Sequence, residues 1–121
     1  MKESVLKEKS FKFAVRIVNL YRYLCEEKKE FVLSKQILRC GTSVGANVRE
    51  AEHSESKADF VHKLAISQKE INETIYWLEL LRETEYISSK EFESINIDAV
   101  EIIKMLTSSI KTAKQSLTTN H

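Results

Sequence analysis

The chain has 121 residues, 42% of them apolar and 31% charged, with two glycines and no proline, which excludes collagen-like and Pro/Ser-rich disordered chains and, for want of turn residues, all-β folds. Its 19 basic and 18 acidic residues give a net charge of +1, which argues against a surface built throughout to coat nucleic acid, and no uncharged apolar stretch reaches the ~18 residues of a membrane span. Cys25 and Cys40 are too few for a disulfide framework or a zinc site, and no apolar leader opens the chain, so one cytoplasmic domain over residues 1–121 is expected, with reduced thiols and no metal or other cofactor.

Hydrophobic periodicity divides the chain into four helices. The first is expected over about 7–27, with Phe11, Ala14, Val18, Tyr21 and Cys25 on its core face and Phe13, Leu20 and Leu24 at the edge of a wide apolar arc. The second runs over about 34–53 behind Ser34 as N-cap, with Ile37, Gly41, Val44, Val48 and Ala51 stepping 4, 3, 4, 3. The third spans about 57–84, opened by Ser56 and Asp59 and lined by Phe60, Leu64, Ser67, Ile71, Thr74 or Ile75, and Leu78. The fourth covers about 88–116: Ser88 and Glu91 form a capping box, and Phe92, Ile95, Ala99, Ile102, Leu106, Ile110, Ala113 and Leu117 make one helical stripe. Short connections near 28–33, 54–56 and 85–87 force neighbouring helices to be antiparallel, giving an all-α, up-down-up-down four-helix bundle.

Charge is uneven along this frame. Residues 1–57 hold 12 basic and 8 acidic side chains, whereas residues 58–87 hold 3 and 6. On the wet side of helix one Lys9, Lys12 and Arg16 cluster beside Tyr23, and Lys35, Arg39 and Arg49 do so on helix two, a pattern that suits phosphate contacts or a solvated face.

Gly41 and Gly45 sit mid-helix, where each costs about 1 kcal/mol relative to alanine, so a neighbouring backbone is expected to come close. Gly45 and Leu38 lie about 80–100° off the core centre, which hints at a neighbour in another subunit. Ile66, Tyr76, Trp77 and Leu80 stand about 120–180° from the core face of helix three, the composition of a protein interface. Asn47 is expected to be a partly buried hydrogen-bonding residue that fixes register, and Glu50 an ion-pair member; the competing reading makes the two a ligand site.

Glu50 with His53, and Asp59 with His62, have the i, i+3 spacing of di-iron bundles, but both rings point about 160–180° away from the core faces, so no metal is expected there; His121 is a tail residue. No phosphate loop, nucleophile elbow or Cys–His pair is present, and no catalytic residue is assigned.

The runs Gln36-Ile-Leu-Arg39, Thr42-Ser-Val-Gly-Ala-Asn47-Val-Arg-Glu50-Ala51, Ser56-Lys-Ala-Asp-Phe60 and Glu70 to Leu81, with Tyr76-Trp77 inside it, resemble the small four-helix-bundle proteins encoded in intervening sequences of bacterial 23S ribosomal RNA genes. Ser43-Val-x-x-Asn47-Val-x-Glu50 is the most specific part, and the likeness covers about residues 31–88. Ala51 departs from it, since many members carry glycine there. The resemblance implies a left-handed bundle that assembles as a ring, a pentamer, without catalytic residues; related accessory proteins of diversity-generating retroelements bind a reverse transcriptase and nucleic acid. The family name records gene location rather than activity.

Together these features lead to an expected function: a non-enzymatic homo-oligomeric adaptor, contacting RNA, DNA or a nucleic-acid enzyme through its basic face and its own copies through helix three. The alternative is a protein-interaction or structural module with no nucleic-acid ligand. Neither reading involves a membrane.

Overall fold

A computed structural model describes residues 2–119 and shows the expected bundle; His121 lies outside the described residues. Helix α1 is Lys2–Glu26, α2 Leu33–Ala51, α3 Lys57–Glu83 and α4 Ser89–Thr119. Each helix packs on its sequence neighbours and α4 closes on α1, while among the described residues the backbones of α1 and α3, and of α2 and α4, stay apart across the shared core. The cross-section is therefore a square with α1 and α3 on one diagonal.

The first helix faces inward differently from the expectation. Leu6, Ser10, Phe13, Ile17 and Leu24 are its buried residues, spaced 4, 3, 4 and 7, whereas Phe11 is 56% exposed and Ala14, Val18, Tyr21 and Cys25 are half-buried. Two stripes of helical period run along α1, and the core takes the one interrupted by a serine. Ser10 is tolerated there because its hydroxyl donates to the Lys7 carbonyl at 3.1 Å, so it is buried with a partner. Phe13 and Ile17, both under 2% exposed, are each stabilised by about 1.5–3 kcal/mol on burial. The stripes expected for α2, α3 and α4 are buried as far as Ala113, with Ile75, Phe60 and Leu117 at the margin.

Helix ends carry the turn chemistry. Ser88 and Glu91 form the reciprocal box, Glu91 N donating to Ser88 Oγ at 3.0 Å and Ser88 N to Glu91 Oε1 at 2.8 Å, and Ser56 Oγ accepts from Asp59 N at 3.0 Å. At α2 the expected Ser34 cap is replaced by Glu30, whose carboxylate accepts from the backbone N–H groups of Val32, Leu33 and Ser34 at 3.1, 3.0 and 2.7 Å. Burial alone would raise the pKa of Glu30, but these three donations outweigh it and hold the carboxyl below its ordinary value. Helix α3 ends in a Schellman turn, Tyr86 N donating to Leu81 O and Glu85 N to Arg82 O, with Glu85 at φ 63° where glycine is usual. Helix α2 stops after Ala51 without a left-handed residue, because Glu52 keeps right-handed dihedrals.

Candidate interaction surface

The six cations expected to form a basic face do not share one. Lys9 pairs with Glu101, and Arg16 donates to Asp98 Oδ2 at 2.7 Å, to Ser94 O at 3.1 Å and to Ser94 Oγ at 2.9 Å, so this side of α1 is tied to α4. Lys12 pairs with Glu8 of its own helix at 2.9 Å. Arg39 turns the other way, to Glu73 and, at 3.4 Å, to Glu70 of α3. Arg49 leans back over α1, its guanidinium carbon 5.7 Å from the Phe11 ring centroid. Among the described residues Lys35 and the further cation Arg22 are exposed and make no ion pair. The single basic belt is thus corrected: four of its cations face carboxylates, which screen them and cost any phosphate an ion pair to displace.

What the outer faces do present is apolar. Phe11 and Val15 are 56% and 46% exposed on α1, Tyr76 is 56% exposed on α3, and Ile97 and Val100 are exposed on α4. Trp77, expected outside, instead leans on the core edge, its Nε1 donating to Glu73 Oε2 at 3.0 Å while its ring meets Tyr76 edge-on with centroids 5.0 Å apart. Leu38, Ile66 and Leu80 are half-buried.

Gly45 belongs inside the chain. A Cβ there would lie 3.1 Å from the Ser10 carbonyl oxygen and 3.3 Å from its carbon, and one on Gly41 would lie 2.7 Å from Ile17 Cγ1. Both glycines admit α1, so the hint of another subunit at Gly45 is corrected. The expected register role of Asn47 is corrected too: its amide donates to Ser43 O of its own helix at 2.9 Å. Helices α2 and α3 are keyed by buried hydroxyls, Ser67 Oγ donating to Val44 O at 2.9 Å and Thr74 Oγ1 to Cys40 Sγ at 3.2 Å, and at the surface by Lys63 with Glu50 at 3.0 Å.

Burial pushes the Cys40 thiol pKa up, which suits a packed side chain and not a nucleophile. His53 and His62 are exposed, and among the described residues no three His, Cys, Asp or Glu side chains gather in a way that could hold a metal ion. No described helix is long and apolar enough to cross a membrane. The sequence signal for the outer patch was the second apolar stripe of α1; nothing in the pattern alone said which stripe the core would take.

The chain is thus an antiparallel four-helix bundle that carries ion pairs and several large apolar side chains on its outer helix faces. The chain belongs to the 23S rRNA-intervening sequence protein family, whose model matches residues 2–108. It is similar to a crystal structure of a protein with unknown function from the S23 ribosomal protein family of Bacteroides thetaiotaomicron VPI-5482, with 64% sequence identity, a TM-score of 0.91, and coverage of 92% of this chain and 99% of that one. No curated protein matches the chain significantly.

Proposed function

We propose that the protein is a non-enzymatic adaptor that associates with its own copies and docks a protein partner through outer helix faces. The observation that carries this reading is the set of large side chains, Phe11, Val15 and Tyr76, left about half exposed on helices whose cores are complete without them. A ring of five is the size the family resemblance implies. Light scattering at micromolar concentration tests it: the expected mass is a multiple of the 14.0 kDa chain, and a mass of one chain overturns the reading.

A second reading, contact with RNA or a nucleic-acid enzyme, is favoured by one feature only. Arg22, Lys35 and Arg49 all lie in the basic half, residues 1–57, and among the described residues none of them faces a carboxylate. These three, rather than the paired Lys9, Lys12, Arg16 and Arg39, are the phosphate contacts it would use.

A further inference from the structure

Where the α2–α3 turn meets the last turns of α4, the core gives way to a cavity of about 700 Å³ that opens to solvent. It exists because α4 places Ser109, Thr112, Ala113 and Ser116 along it, side chains too small to fill the space that Ile102 and Leu106 fill nearer the middle of the bundle. Ala51 and Phe60 complete its apolar lining. Among the described residues five hydroxyls are buried, and four of them donate to a carbonyl: Ser10 to Lys7, Ser34 to Glu30, Ser67 to Val44 and Thr74 to Glu70. The fifth, Ser109, lines the cavity at 7% exposure and among the described residues has no hydrogen-bond partner, although a buried polar group is normally paired.

The rim of this cavity carries one uncommitted positive charge. Lys57, the first residue of α3, meets no carboxylate among the described residues and donates to the Ser116 hydroxyl of α4. At the same helix end Ser56 Oγ accepts from Asp59 N, which leaves the backbone N–H groups of Lys57 and Ala58 at the positive pole of α3. Glu52 also lines the cavity, but Lys7 holds it at 3.4 Å. We propose that the cavity binds a small organic monoanion with an apolar body. The charged head sits at Lys57 and the first N–H groups of α3, the body rests on Ala51, Phe60 and Ala113, and a ligand oxygen accepts the hydrogen bond that Ser109 lacks. The volume falls within the roughly 300–1,000 Å³ of small-molecule sites. One open cation in a cavity that also holds Glu52 suits a single negative charge, and disfavours a polyphosphate or a nucleic-acid backbone. Such a ligand ties α4 to the α2–α3 turn, and its binding does not depend on self-association.

Hexanoate is the probe, with hexanol as its neutral counterpart and inorganic phosphate as a head without a body. In an amide NMR titration of the wild-type chain, hexanoate at millimolar concentration is expected to shift the Lys57, Ala58 and Ser109 resonances saturably and to raise the melting temperature. Hexanol and phosphate should each bind at least about tenfold more weakly. Ser109→Ala removes the hydroxyl and keeps the shape of the site. Hexanoate affinity should then fall about tenfold, while the ligand-free variant melts no lower than the wild type because no internal hydrogen bond is lost. Lys57→Gln should weaken hexanoate by a similar factor with the helical circular dichroism unchanged, and it decides the matter should Ser109→Ala disturb the fold. The site is overturned by the absence of a saturable shift at these amides, by hexanol binding as well as hexanoate, or by both variants keeping the wild-type affinity.

Discussion

Gly41 and Gly45 are where the first two helices come closest, and the reason is written in the side chains opposite them. Alanine at Gly41 would set its Cβ 2.7 and 2.8 Å from the two γ-carbons of Ile17, and these sit one bond from the Ile17 Cβ, so neither can swing away. The helix-propensity gain of about 1 kcal/mol for Gly→Ala is set against overpacking that costs about 1–3 kcal/mol. Gly41→Ala is therefore expected to destabilise, and Ile17→Ala, which opens a cavity, to cost about 2–5 kcal/mol. In the double variant the new Cβ enters the space the γ-carbons vacated. Denaturant unfolding should then show a combined cost below the sum of the singles by about 0.5 kcal/mol or more; additive costs would place the strain elsewhere. The glycine pair was legible in the sequence as a close approach, but its partner was not, because only the fold reveals that Ser10 and Ile17 face it.

Element ends show the converse use of residues. The chain spends both glycines on helix contact and neither on a turn, so Lys29 and Glu85 take positive φ of 54° and 63°, at a cost glycine would avoid. Beside Lys29, Glu30 caps α2 with three accepted hydrogen bonds. Removing that charge by Glu30→Gln is expected to lower stability by about 1–2 kcal/mol at pH 7. The pH dependence has a definite sign. The carboxyl is held below its ordinary value in the folded chain, so the unfolded chain, with a value of about 4.3, takes up the proton first. Stability from Glu30 is therefore complete above that pH and is lost as pH falls through the lower folded value. Unfolding measured at stepwise lower pH should show the gap between wild type and Glu30→Gln closing in acid; a constant gap would mean the charge is not what the cap needs. This cap escaped the sequence because it lies three residues before the helix, in a stretch whose obvious candidate was Ser34. The Ser88–Glu91 box, local and reciprocal, was fully legible. The core face of α1 was not: two stripes have the right period, the inner one is interrupted by Ser10, and the choice between them is made by contacts with α2 and α4 that no window on α1 contains.

At the scale of the whole molecule the question is whether one face can serve two ligands. Arg49 lies over the ring of the exposed Phe11, so self-association through the α1 face would cover it. Arg49, Arg22 and Lys35 are among the cations that make no ion pair within the described residues, so self-association and phosphate contact draw on at least one shared charge. This decides the direction of an RNA-binding experiment. If RNA uses these cations, a variant made monomeric by Tyr76→Glu, which keeps its α1–α2 face uncovered, should bind a structured RNA more tightly per chain at ~50 mM salt than the assembled wild type does. If Arg22, Lys35 and Arg49 are the phosphate contacts, the slope of log K against log salt should be no steeper than about −2, taking roughly −0.7 per phosphate on single strands. A steeper slope would mean that further cations take phosphates, either lysines unpaired among the described residues, such as Lys29 and Lys69, or Lys9, Lys12, Arg16 or Arg39 released from their carboxylates. Tighter binding by the wild type would instead show that RNA reads charges repeated around the assembly, on a face the subunit contact leaves open, and Lys35 would then be the first residue to neutralise.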